Sequence, residues 1–195
     1  MKVIPVDYSN KGSIKDALAG VDVVISTVPP TALGVQLGIA EAAKEAGVKL
    51  FVPSEFGGVT EGATEGVKAS KARVQDQLKA VGMPYTLFYT GAYADFIWVP
   101  YVPPLTFLRF HYSPIDYGWS RRFNLDVTSG KVTVGGDGNK PISFTARPDI
   151  ARYISYILTQ LPTERLENHS FAMAGDTKVR RCKTIRAQQL LRHAA

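Results

Sequence analysis

Apolar residues fall in two rhythms over the first ninety positions: short continuous runs, and stripes at helical spacing. Residues 2–7, Lys-Val-Ile-Pro-Val-Asp, make an apolar, β-branched run that predicts a strand. A short helix-like stretch follows from Ser13, whose side chain is placed to cap residues 13–16. Val-Asp-Val-Val-Ile-Ser-Thr at 21–27 has the length of a strand and almost no polar interruption, the pattern of strands buried on both faces of a parallel sheet. Leu33, Leu37, Ala40 and Ala43 then recur at helical spacing, with Gly47 as the stop. Leu-Phe-Val-Pro at 50–53 predicts the next buried strand, residues from about 65 to 81 a helix ended by Gly82, and residues 85–89 a further strand. The alternation predicts an α/β fold, a doubly wound parallel sheet with right-handed crossovers. Ligands of such sheets gather beyond the carboxyl ends of the strands, which here means near Thr27, Ser54 and Thr90.

Beyond Tyr93 the rhythm breaks. Residues 98–123 hold four prolines among many aromatics, and 98–145 as a whole is expected to form a loop-rich cap on the substrate side. Within it, residues 131–145 look like two strands around the Gly-Gly-Asp-Gly turn at 135–138, a hairpin; no helix follows those glycines, which disfavours a phosphate cradle. Pro148 and Asp149 open a helix with Ile150, Tyr153, Ile154 and Ile157 as its apolar stripe. The expected domain is residues 1–175, followed by a basic tail at 176–195 in which residues 178–195 carry Lys178, Arg180, Arg181, Lys183, Arg186 and Arg192 without one acid.

At 195 residues the chain suits one ordinary domain. A single cysteine, Cys182, excludes an internal disulfide and a thiolate metal site, and His111, His169 and His193 are too scattered for a metal site to be expected. No apolar run reaches the roughly 18 residues that span a bilayer, and no signal-peptide pattern precedes Asp7. A cytoplasmic location is expected, with the nucleus as the alternative. The formal charge of +6 suits an anionic ligand such as a phosphorylated cofactor. Nucleic acid is not an expected partner, because the tail lacks the aromatic interleaving of a single-strand binder. Hydrolase, P-loop and zincin motifs are all missing from the sequence, as are Gly-x-Gly-x-x-Gly and Tyr-x-x-x-Lys.

Specific runs go further. Gly-Val-Asp-Val-Val-Ile-Ser-Thr at 20–27, Gln36, the stretch 42–57 ending in Val-Pro-Ser-Glu-Phe-Gly, Lys-Ala-Arg-Val at 71–74, Gly-Met-Pro-Tyr-Thr at 82–86, residues 136–145 and residues 148–152 together resemble the NmrA-like, isoflavone-reductase-like family of atypical short-chain dehydrogenases. The resemblance covers residues 1 to about 175. It implies a Rossmann-like NAD(P)-binding fold and an NAD(P)H-dependent reductase acting on a small, aromatic or phenylpropanoid-like substrate. By the resemblance, Thr27, Val28 and Pro29 lie at the end of a strand that crosses under the cofactor. Ser54, Glu55 and Phe56 line the nicotinamide ribose region, and Gly91, Ala92 and Tyr93 flank the nicotinamide. Lys71 matches the family's active-site lysine. A helix lysine is ordinarily solvated; here it is either an acid/base group, made so by burial and neighbouring positive charge, or a clamp on the ribose hydroxyls.

The sequence also departs from the family. It begins at what corresponds to the third strand, so the glycine-rich strand–helix unit that holds the pyrophosphate is missing, and beyond Gly175 no match to the closing elements is found. The expectation is an N-terminally truncated fragment, impaired as an enzyme, in which residues 3–6 either lie at an edge beside Val23 or leave an empty slot. Cofactor binding is accordingly expected to be weak or absent. NADH and NADPH stay unseparated, because the residue that would read the ribose phosphate belongs to the missing unit. The alternative function is that of a non-catalytic, redox-sensing regulator acting through a protein partner.

Overall fold

The structure is a computed structural model that describes residues 3–96, 125–126, 131–132 and 141–179. The expected cap at 98–123, the glycine turn at 135–138, Cys182 and the basic tail beyond Val179 lie outside those residues. The chain divides into two compact units, Met1–Thr90 with Arg152–Met173, and Gly91–Ala151 with Ala174–Ala195.

The first unit is the α/β layer structure. In chain order it holds α1 (Lys11–Ala17), β1 (Val23–Ile25), α2 (Val35–Glu45), β2 (Leu50–Val52), α3 (Gly66–Ala80) and β3 (Thr86–Tyr89). Strand β1 pairs with β2 in parallel, Val24 opposite Phe51. A parallel bridge between Phe51 and Tyr85 sets β3 beside β2, and the Phe51 N–H donates to the carbonyl of Pro84 at 2.9 Å. On its far side β3 pairs in parallel with a strand at His169–Ala172. The three strands expected at 23–27, 50–53 and 85–89 are therefore parallel neighbours.

Successive strand residues point to opposite faces, and β3 divides its side chains accordingly. Leu87 and Tyr89 join a core with Ile39, Phe51, Val74 and Leu78, drawn from α2, β2 and α3. Phe88, wholly buried, faces the other way, stacked on Phe171 at 5.7 Å and edge-on to Tyr153 at 6.3 Å. Tyr153 belongs to α4 (Arg147–Gln160), in which Ile150, Ile154 and Ile157 are the buried stripe. The layers thus cover both faces of β3. Gly47 and Gly82 follow α2 and α3 at φ of +80° and +64°, the left-handed values that let glycine end a helix.

Three local expectations need correction. Residues 3–7 form no strand: Pro5 offers no N–H to a ladder, and Val3 and Ile4 are exposed. The cap of α1 is Asn10, whose side chain accepts from the Ser13 N–H at 3.2 Å, while Ser13 Oγ instead accepts from the N–H of Asp7 at 3.1 Å. Strand β1 is not buried on both faces. Val23 and Ile25 are 40% and 47% exposed, because among the described residues β1 pairs only with β2 and forms a sheet edge.

In the second unit β4 (Ala92–Tyr93) runs parallel to β7 (Pro141–Thr145), and β7 runs antiparallel to β9 (Asp176–Val179), where β8 is the His169–Ala172 strand named above. Strand β5 (Leu125–Asp126) pairs antiparallel with β6 (Lys131–Val132). The expected hairpin across 131–145 is corrected by these pairings. Both edges of β7 are occupied, by β4 and β9, and neither is left for residues 131–132.

Candidate active site

The turn that follows β2 is fastened from several directions. Pro53 has no N–H to continue the ladder, and the Glu55 N–H folds back onto the Pro53 carbonyl at 2.8 Å, a turn too tight for either regular element. Phe56 takes a φ of +22°, a value that a bulky side chain rarely adopts and that persists only where neighbours enforce it. The neighbours are identifiable. Ser54 N–H donates to Gln36 Oε1 at 2.8 Å, and Ser54 Oγ donates to the carbonyl of Val28 at 2.9 Å. The Thr90 N–H, just past β3, donates to the carbonyl of Gly57 at 2.9 Å. Lys71 reaches over from α3, and its Nζ donates to the carbonyl oxygen of Glu55.

The Glu55 side chain points into the protein and is 1% exposed. Its Oε1 accepts from Gln75 Nε2 at 2.8 Å and its Oε2 from Thr60 Oγ1 at 2.6 Å; Gln75 Nε2 also donates to Thr60 Oγ1 at 2.8 Å. Both carboxylate oxygens are thus occupied as acceptors, one from α3 and one from the loop. Beside the ring lies Tyr89. Burial pushes its phenol above the usual tyrosine range, and the Glu55 and Glu61 carboxylates push the same way, against smaller opposing effects of Thr60 and Gln75. Although Thr60 and Gln75 adjoin it, no hydrogen bond of ordinary geometry reaches Tyr89 Oη among the described residues.

Of the residues that the sequence singles out, the first unit brings Ser54, Glu55, Phe56 and Lys71 into one turn and ties Val28 to it. Thr27 and Val28 also line a cleft of about 370 Å³ at the end of β1, together with Val6, Tyr8 and Ser26. Pro29 is exposed and leads into a short 3-10 turn at Pro30–Ala32. Gly91, Ala92 and Tyr93 belong to the second unit. There Gly91 has φ +70°, and a Cβ on it would fall 2.8 Å from the Ser143 carbonyl oxygen, so only glycine serves.

Sequence reasoning missed Gln36, Thr60 and Gln75 as parts of the site. Gln75 carried a usable signal, standing four residues after Lys71 and hence on the same helix face. Thr60 carried none, since only the path of the loop brings it to Glu55.

The NmrA-like family model matches residues 1–179, and the chain belongs to the NmrA-like family. Among curated relatives, "Isoflavone reductase homolog A622" of Nicotiana tabacum is 35% identical over 153 residues, which cover 75% of this chain and 44% of the relative. The chain thus spans less than half the length of such relatives. Among solved structures, a crystal structure of isoflavone reductase aligns with a TM-score of 0.67 at 22% identity over 98% of this chain and 57% of that one. The leucoanthocyanidin reductase–NADPH complex of Vitis vinifera aligns at 0.59 and 22% identity, over 85% and 50% respectively. These likenesses establish the Rossmann-like reductase fold.

Proposed function

We propose that the chain carries the nicotinamide side of an NADPH-dependent reductase of the isoflavone reductase type, acting on a small aromatic substrate. The observation that carries the reading is the seating of Lys71: a lysine from α3 is brought to a strained turn at the carboxyl end of β2, where α/β folds bind ligands. The curated relatives named as isoflavone reductase homologues and the neighbour solved with NADPH support it.

The residues present fit a nicotinamide nucleotide. Ser26 Oγ and Thr90 Oγ1 are buried at strand carboxyl ends without hydrogen-bond partners among the described residues. A buried polar group left unpaired costs about 1–3 kcal/mol, which a polar ligand recovers. Ser54, Phe56 and Thr90 would hold the nicotinamide and its ribose, with Thr27 and Val28 along the adjoining cleft. A bound nicotinamide supplies the hydride. Lys71 Nζ supplies the proton that balances it, positioned by the Glu55 carbonyl.

The test is transfer of label from deuteride-bearing NADPH to a small aromatic ketone, enone or benzylic ether by the purified chain. Label in the product that depends on Lys71 supports the reading. No transfer to any acceptor class, with cofactor shown to be bound, would refute it.

A further inference from the structure

Helix α3 holds one residue of the turn at two points. Lys71 takes the backbone carbonyl of Glu55, and Gln75, one helical turn later, takes its carboxylate. We propose that Glu55 is the positioning residue for Lys71: its buried carboxylate, closed into a ring with Gln75 and Thr60, fixes the carbonyl on which the Lys71 ammonium rests. The proposal rests on the role given to Lys71 above.

A lysine ends in a compact charge on a flexible four-carbon stem, so an acceptor held in place steadies the ammonium that donates to it. The Glu55 carbonyl is bounded on one side by the N–H bond to Pro53 and on the other by Phe56 at its unfavourable φ. Both of these act along the chain, within the turn. The carboxylate acts from outside it, because it is anchored to α3 and to Thr60 rather than to the turn itself. Burying a carboxylate to 1% exposure is costly, and an apolar side chain would fill the same space without that cost. What an apolar residue lacks is directional attachment to the helix that carries Lys71.

The ring also makes the proposal specific. Thr60 Oγ1 accepts from Gln75 and donates to Glu55, so its hydroxyl is needed in both senses. Glu55→Gln turns one acceptor oxygen into a donor facing Thr60 or Gln75, both already donating. Thr60→Val keeps the shape and removes the hydroxyl, whereas Thr60→Ser keeps the hydroxyl.

The experiment is competitive acylation of the full chain, read lysine by lysine by mass spectrometry, with exposed Lys68 and Lys79 of the same helix as internal references. In Glu55→Gln and Thr60→Val, Lys71 is expected to acylate about tenfold faster relative to Lys68 and Lys79, the factor that corresponds to one lost hydrogen bond to a charged group. Thr60→Ser is expected to keep the original rate. An unchanged Lys71 rate in folded Thr60→Val protein overturns the proposal, and so does an equal rise at all three lysines. Should Glu55→Gln not fold, Thr60→Val and Thr60→Ser decide alone. Acylation reads the grip on Lys71 whether or not the chain turns over a substrate, so failure of the reductase reading and failure of this one leave different marks.

Discussion

Ser54 Oγ donates to the carbonyl oxygen of Val28 at 2.9 Å, fastening the turn after β2 to the loop after β1. The two carboxyl ends of neighbouring parallel strands are thereby tied through one hydroxyl, and Gln36 of α2 adds a second tie through the Ser54 N–H. A ligand lying across these strand ends meets a surface already fixed, which reduces the ordering cost of binding.

Gln36→Leu tests that pre-organisation. The side chain is 1% exposed, and its loss leaves the buried Ser54 N–H without its acceptor. The expected cost is about 1–3 kcal/mol in denaturant unfolding. Ser54→Ala, which removes the donor together with its bond, is expected to cost less, about 0.5–1.5 kcal/mol.

Lys71 separates two roles by two substitutions. An acid/base lysine predicts that Lys71→Ala lowers kcat by about 100-fold or more and that Lys71→Arg fails to rescue, since guanidinium does not release its proton near neutral pH. A clamp on the cofactor predicts instead a raised cofactor KM with partial rescue by Arg.

Tyr89 gives a pH dependence. Its phenol, 8% exposed, is raised above the ordinary value of 10.0 by burial first and by Glu55 and Glu61 next. The folded state therefore holds the proton more tightly than the unfolded chain does. The associated stability is fully present below about pH 10 and is lost as pH rises through the higher folded value. Tyr89→Phe is expected to be near neutral or stabilising at pH 7, because no hydrogen bond of ordinary geometry reaches Tyr89 Oη among the described residues, and to flatten the alkaline decline of Tm. An unaltered alkaline slope in the variant would contradict the burial of the phenol.

Gly91→Ala probes the second unit. It places a Cβ 2.8 Å from the Ser143 carbonyl oxygen on backbone at φ +70°. Strain of this kind costs about 1–3 kcal/mol. The expected result is early loss of protection for the amides of β4 and β7 in hydrogen exchange.

The parallel strands and the helices between them were legible in the sequence because continuous apolar runs and helical stripes each permit one packing arrangement. What the pattern did not reveal depends on contacts made at a distance. The run at 21–27 reads as doubly buried, yet its exposure is set by the neighbours available to β1, which no local pattern encodes. Residues 131–132 and 141–145 read as one hairpin because they flank glycines, whereas β7 finds its partners at positions 92–93 and 176–179. Within the site, Ser54, Glu55, Phe56 and Lys71 were named from the sequence by family resemblance. The Thr60 hydroxyl that completes the Glu55 ring became visible only once the loop was folded.

The central claim is that the turn at 54–57 and Lys71 receive the nicotinamide end of NADPH. Its most direct test is an NMR titration of the 195-residue chain with NADPH. The sequence has no Gly-x-Gly-x-x-Gly run to hold the pyrophosphate, so affinity is expected to be about millimolar rather than micromolar. The predicted result is saturable amide shifts largest at residues 54–57, Lys71 and Thr90, lost in Lys71→Met while the fold is retained. Shifts confined to other surfaces, or none at these residues with the cofactor at several millimolar, about the concentration that such an affinity needs, would contradict it.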